Sequence, residues 1–347
     1  MPHRYRVLVS RARGSVRHVH APDRSRRSRP VVGLVFALLA SVLFGINGTV
    51  SKLALENGLS PLRLVEIRSV GSAMLLVALV TVTRPRTLRV TRGDLGFLLM
   101  AGVVGIALVQ WLYFVAIARL PVGIALLVEY LAPVMVVLWV RFVRREQVRS
   151  RMWAALGLAL VGLAVVAQVW RGLTLDGIGL LAALGAAAAL AAYYLTGEKG
   201  LTTRDELSLA AWIFVAAGLF WSVLLPWWTF PFDVLGQSVP LPGPLEPAAA
   251  PMWALVSWIT VLGTVMPYVL VLAAIRVLGP ARTGLVGMTE PVLAALVAWL
   301  ALGEALTPVQ LAGGAVVLSG IVLAETARAA PQARQSSHGV LPEGMAP

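Results

Sequence analysis

The 347 residues are 59% hydrophobic and only 13% charged, with a mean hydropathy of +0.83. A soluble domain carries about 25% charged residues. Apolar runs long enough to cross a bilayer core of about 30 Å recur along this chain, so composition excludes a soluble globular protein and points to a polytopic α-helical membrane protein. The net charge of +13 does not mark a nucleic-acid binder, because nine arginines precede Pro30 and most other basic residues sit in short loops between apolar runs. Cysteine is absent and the histidines are His3, His18, His20 and His338, all in polar tails. Disulfides, thiolate metal sites and a histidine centre inside the membrane are thereby excluded, and neither metal nor cofactor is expected.

In chain order, residues 1–30 form a basic arm rich in Arg, Ser and His, expected to be disordered and cytoplasmic. Ten apolar spans follow, at roughly 31–54, 61–83, 94–116, 120–142, 151–170, 177–198, 206–229, 251–275, 280–302 and 307–326. Pro61, Pro85, Pro121, Gly172, Pro251, Gly279–Pro280 and Pro308 punctuate them. With the N-terminus inside, inner loops hold Arg84, Arg86, Arg89, Arg92, Arg144, Arg145, Arg149, Arg151, Lys199, Arg204, Arg276 and Arg282. Outer loops hold little beyond Arg119 and Arg171, which places both termini in the cytoplasm. Trp153, Trp170, Trp227, Trp228 and Trp253 fall near span ends, as an interfacial belt requires. The outer connection 226–251 is proline-rich and expected to be extended. Residues 327–347 are expected to be a disordered cytoplasmic tail.

The chain repeats itself. A constant offset of 158 pairs Gly105 with Gly263, Gln110 with Tyr268, Pro133 with Pro291, Glu146 with Glu304 and Gly162 with Gly320. Apolar coincidences are cheap in such a sequence, but gap-free matching of Pro, Glu and Gly is not. The units are 31–170 and 177–326. Five spans per unit is odd, so the second unit enters from the opposite side. The expected fold is all-α, with ten transmembrane helices as two inverted five-helix repeats, an architecture of secondary transporters that bind substrate near the midplane and alternate access.

The motifs "FGINGTVSKLAL", "PLRLVEIRS", "APV" with "RRE", and "EPVLAALVAWLALGE" resemble those of the drug/metabolite transporter superfamily, in its ten-span EamA-type branch. The resemblance covers 31–326. It implies export or exchange of small metabolites such as amino acids, their derivatives or drugs. It also matches Arg68 to an arginine usual in the family. Glu129 departs from the pattern, since family members often carry an apolar or small residue there.

Two acids stand at membrane depth. Glu129 is eight residues past Pro121, about 12 Å along a helix, and Glu290 is ten past Pro280, about 15 Å. A charged group at the bilayer centre costs about 2.5–3.5 kcal/mol on insertion scales, so it faces a cavity, pairs or takes a proton. Glu129 and Glu290 are therefore candidates for proton coupling or for binding a substrate amine, against a structural hydrogen bond. Pro133 and Pro291 each remove a backbone donor, which opens a polar niche or simply kinks the helix. Arg68 faces either a substrate carboxylate or Glu66. Asn47, Gln110, Tyr113, Tyr193, Tyr194 and Tyr268 complete the candidate lining, each with helix–helix bonding as the alternative. Trp111 and Trp258 are weaker candidates for stacking on an aromatic substrate, against lipid contact or packing.

The function that follows is a secondary transporter of a small metabolite, read as an exporter, with proton coupling open. It is not an enzyme: a membrane-embedded lipid-modifying enzyme would need a nucleophile, base or metal cluster, and a non-transporting scaffold has no use for midplane acids. The expected partners are a small-molecule substrate, protons, the lipid bilayer and, as an open alternative, a second copy in a homodimer. The expected location is the cell (inner) membrane.

Overall fold

A computed structural model describes residues 24–117, 119–120, 122–170, 176–241, 247–302 and 307–326. Helices dominate. The chain runs through α1 (Arg24–Glu56), α2 (Pro61–Thr83), α3 (Arg92–Gly102), α4 (Val109–Ile117), α5 (Val122–Glu129), α6 (Ala132–Leu138) and α7 (Ser150–Val166). It continues through α8 (Gly177–Gly200), α9 (Glu206–Leu224), α10 (Met252–Thr260), α11 (Met266–Leu278), α12 (Pro280–Gly287), α13 (Glu290–Leu302) and α14 (Pro308–Thr326). Among the described residues, seven helices are long and apolar enough to cross a membrane. Their outer faces suit lipid: Val82 is 83% and Val223 80% exposed. Trp153, Trp170, Trp228 and Trp253 are exposed near helix ends. The chain is a multi-pass membrane protein.

Local chemistry sets the helix starts. Ser60 caps α2 by accepting from the Arg63 amide, ahead of Pro61, whose missing N–H costs nothing in the first turn. Asp176 caps α8 by accepting from the Gly179 amide at 2.7 Å. Asp205 caps α9 by accepting from the amides of Leu207 and Ser208. Gly279, at φ 80°, takes the left-handed turn between α11 and α12 that a side chain would resist.

Three expectations are revised. The fourth and ninth segments, expected as single spans, are each two helices: α5 and α6 are separated at Tyr130–Leu131, and α12 and α13 at Met288–Thr289. Pro133 and Pro291 are each the second residue of the new helix, where the lost donor was unsatisfied anyway. Second, the connection 226–251 is not simply extended. Its described residues make 3₁₀ turns at Trp227–Thr229 and Phe232–Gly236 and a two-stranded antiparallel ribbon of β1 (Ser238–Pro240) and β2 (Ala249–Pro251). Phe230, Val234 and Val239 bury themselves against Leu59, Leu64 and Met252, so its apolar residues outweigh its prolines. Third, helix α1 begins at Arg24, inside the expected arm; the rest of the arm, Pro121, Arg171, Gly172, Glu304 and the tail 327–347 lie outside the described residues.

The helix irregularities recur at the sequence offset. A π-helical stretch, Val103–Leu108, joins α3 to α4, and another, Val261–Val265, joins α10 to α11. Their starts are 158 apart, as are the ends of α5 and α12 and the starts of α6 and α13. Close packing fixes the relative positions of the helices. A Cβ on Gly162 of α7 would lie 2.6 Å from the Val317 backbone nitrogen of α14. One on Gly45 of α1 would lie 3.0 Å from the Ala294 nitrogen of α13. Such backbone approach through small residues is how helices associate in lipid, where no hydrophobic drive separates helix from acyl chain.

Candidate functional site

Helices α1, α2, α4, α5, α8, α11, α12 and α13 surround a cavity of about 590 Å³. All nine residues singled out from the sequence line it: Asn47, Arg68, Gln110, Tyr113, Glu129, Tyr193, Tyr194, Tyr268 and Glu290. Trp111 does not line it; 42% exposed, it lies on the outer surface, and Trp258 packs beneath the 226–251 connection. The cavity includes Gly48 and Lys52, exposed residues near the end of α1.

Glu129 ends α5 and Glu290 begins α13, so each acid sits at the break of a broken helix. The Tyr130 hydroxyl donates to Glu290 Oε2 at 2.8 Å. Tyr130 was not foreseen as a site residue. On a helix it points about 100° away from Glu129, and its amide keeps the helical bond to the Leu126 carbonyl at 2.9 Å, so it is the packing of helices from the two repeats that brings Glu290 to it.

Arg68 is 8% exposed and donates from Nε to Thr264 Oγ1 at 3.1 Å. The Thr264 hydroxyl in turn donates to the Ile259 carbonyl at 2.7 Å, inside the π-helical turn. The expected alternative pairing of Arg68 with Glu66 does not form. Glu66 takes Arg63 instead, at 2.6 Å and one helical turn away. Arg63 also donates to the carbonyl and hydroxyl oxygens of Thr229, tying α2 to the outer connection.

The aromatic wall is a single interlocked group. Tyr268 meets Phe44, Tyr193 and Phe214 edge to face, with ring centroids 5.3, 5.5 and 5.2 Å apart. The Tyr193 hydroxyl donates to the Tyr268 carbonyl at 3.4 Å. Gln110, 7% exposed, lies beside the Tyr268 hydroxyl and lines the cavity, where its amide is a donor and an acceptor within reach of a ligand.

The opposite end is packed helix against helix. A Cβ on Gly284 of α12 would lie 3.2 Å from the Pro133 ring of α6, so those helices touch beneath the cavity. Ion pairs gather at that end: Arg276 with Glu206 at 2.5 Å, Arg204 with Asp94 at 3.2 Å, Arg84 with Asp205 at 3.6 Å, and Arg144 with Glu198.

Comparison with known proteins gives a consistent set of relatives. The chain is 25% identical over 312 residues to the uncharacterised transporter YwfM of Bacillus subtilis (strain 168), covering 88% of this chain and 97% of that one. It is 29% identical over 301 residues to the threonine/homoserine exporter RhtA of Escherichia coli (strain K12), covering 84% and 90%. A solved crystal structure superposes with a TM-score of 0.67 at 18% identity, over 87% of this chain and 97% of the other, and supports the fold alone. Residues 31–168 and 177–326 each match the EamA-like transporter family. With most of its length in those two matches, the chain belongs to the EamA-like transporter family.

Proposed function

We propose that this transporter exports a small amino acid by alternating access, with the cavity as its binding site. The observation that carries the reading is the placement of opposite charges around one cavity: the Arg68 guanidinium, and the Glu129 and Glu290 carboxylates. That set complements a zwitterion. Arg68 takes the substrate carboxylate, since guanidinium geometry matches it. A carboxylate takes the ammonium group, and Gln110 and Asn47 serve a polar side chain. A volume of about 590 Å³ lies within the usual range for small-ligand sites, about 300–1,000 Å³. The relative named for threonine and homoserine favours a small hydroxylated amino acid over a drug-like compound.

Ten spans in two inverted five-helix repeats is the architecture we assign. The repeat offset of 158 in helix breaks and π-helical turns supports duplication, and the odd number of spans per unit supports inversion. The arginine-rich loops support an orientation with both termini in the cytoplasm and the protein in the inner membrane. In that orientation the cavity opens outward past Lys52 and the ion-paired end is the closed cytoplasmic face. Two carboxylates lining one site suit exchange: substrate ammonium relieves one, and a proton entering from outside relieves the other.

The test is metabolite profiling of cells that express wild type or Glu290→Gln at equal membrane levels. The reading requires a small set of amino acids, threonine among them, to accumulate outside with wild type and not with the variant. Identical profiles for wild type, variant and empty vector would overturn it.

A further inference from the structure

We propose that Tyr130 is a positioning residue for Glu290: its hydroxyl fixes the carboxylate in the orientation that receives the substrate ammonium group. This rests on the amino-acid reading of the cavity.

The two groups meet at 2.8 Å, with Tyr130 only 5% exposed. Both sit at helix breaks, Tyr130 between α5 and α6 and Glu290 at the start of α13, and both line the cavity. A glutamate at the start of a helix, beside open space, has free rotation about its terminal bonds. A bond to Oε2 removes that freedom and leaves Oε1 for a ligand. Preorganisation of this kind lowers the cost of binding. The repeat supplies a second argument. At the offset of 158, Tyr130 corresponds to Met288 and Glu290 to Ala132, so the pseudo-symmetric position between the two halves has neither partner of the bond. Both broken helices form, yet only one of the two symmetry-related positions carries such a pair. The tyrosine–carboxylate contact is therefore an addition to the fold, as expected of a binding device.

The experiment is labelling of the purified, reconstituted protein with dicyclohexylcarbodiimide, which modifies intramembrane carboxyl groups, read by mass spectrometry at Glu290 and Glu129 separately. In Tyr130→Phe, with Oε2 unmasked, Glu290 is expected to label faster, and Glu129 at the wild-type rate. Threonine is expected to protect Glu290, and the half-protecting concentration to rise about fivefold in Tyr130→Phe, the scale of one hydrogen bond. Transport by the variant should show the same rise in KM with kcat little changed. Tyr130→His, a ring that keeps a donor, should stay close to wild type in both readouts. An unchanged labelling rate at Glu290 in Tyr130→Phe overturns the proposal. So does a loss of kcat with KM unchanged, which marks a merely structural tyrosine. If threonine protects neither protein, the amino-acid reading falls, and the Glu290 labelling rate alone decides the role of Tyr130.

Discussion

Arg68 and Thr264, 196 positions apart in sequence, are joined by a 3.1 Å hydrogen bond from Nε to the threonine hydroxyl, which ties α2 to the π-helical turn between α10 and α11. The threonine's proton is already committed to Ile259, so its lone pair is turned to the guanidinium. The arginine is thus held from behind while it lines the cavity. Thr264→Val leaves Nε buried without its partner, at a cost of about 1–3 kcal/mol. We expect KM for the transported amino acid to rise about tenfold in proteoliposomes. Arg68→Lys should not restore transport, because an ammonium cannot reach Thr264 and chelate a carboxylate together.

The two acids differ in their partners, and their variants should differ too. Glu290 accepts from Tyr130, whereas among the described residues Glu129 has no such bond. Glu290→Gln is expected to cut substrate affinity about tenfold or more. Glu129→Gln is expected to leave equilibrium binding near wild type and abolish the effect of an imposed pH gradient on transport. Binding by isothermal titration and uptake under an imposed gradient separate the two.

Packing between α7 and α14 leaves no room at Gly162, where a Cβ would lie 2.6 Å from the Val317 nitrogen and 2.8 Å from the Gly313 carbonyl oxygen. Gly162→Leu forces the helices apart, and overpacking costs about 1–3 kcal/mol. A lower melting temperature in detergent is expected, with the cavity-lining residues untouched. Gly157, whose Cβ would meet nothing within 4 Å, is the control and should accept leucine without a shift.

Asp205 sits outside the spans, at the start of α9. Partial burial pushes its carboxyl up, but bonds from the Ser208 hydroxyl and amide, together with Arg84, outweigh this and hold it below the ordinary range. A depressed acid contributes stability that is present above its unfolded value, about 3.9, and is lost as pH falls below it. Wild type should therefore lose thermal stability below about pH 4 more steeply than Asp205→Ala, which is less stable at neutral pH by about 1 kcal/mol for the lost cap. Melting curves at pH 7 and pH 3.5 check both.

Much of the site was legible because lipid makes polar residues conspicuous. Glu129, Glu290 and Arg68 stand out in apolar runs, and the distances of the two acids from Pro121 and Pro280 put both near mid-depth. What was not legible depends on backbone geometry. Pro133 and Pro291 suggested a polar niche or a kink, but the helices end before them, and the contact of Tyr130 with Glu290 depends on how helices of the two repeats pack. Arg63 claims Glu66 because the partner three residues back lies on the same face, while Arg68 points to another helix. The 226–251 connection was read from its prolines, and its buried Phe230 and Val234 tell of the packing that prolines conceal.

The most direct measurement is counterflow of radiolabelled threonine into proteoliposomes preloaded with unlabelled threonine, for wild type, Arg68→Ala and Glu290→Gln. The account predicts accumulation by wild type and a fall of about tenfold or more in each variant. Equal accumulation in all three, or none above protein-free liposomes in wild type, would contradict it.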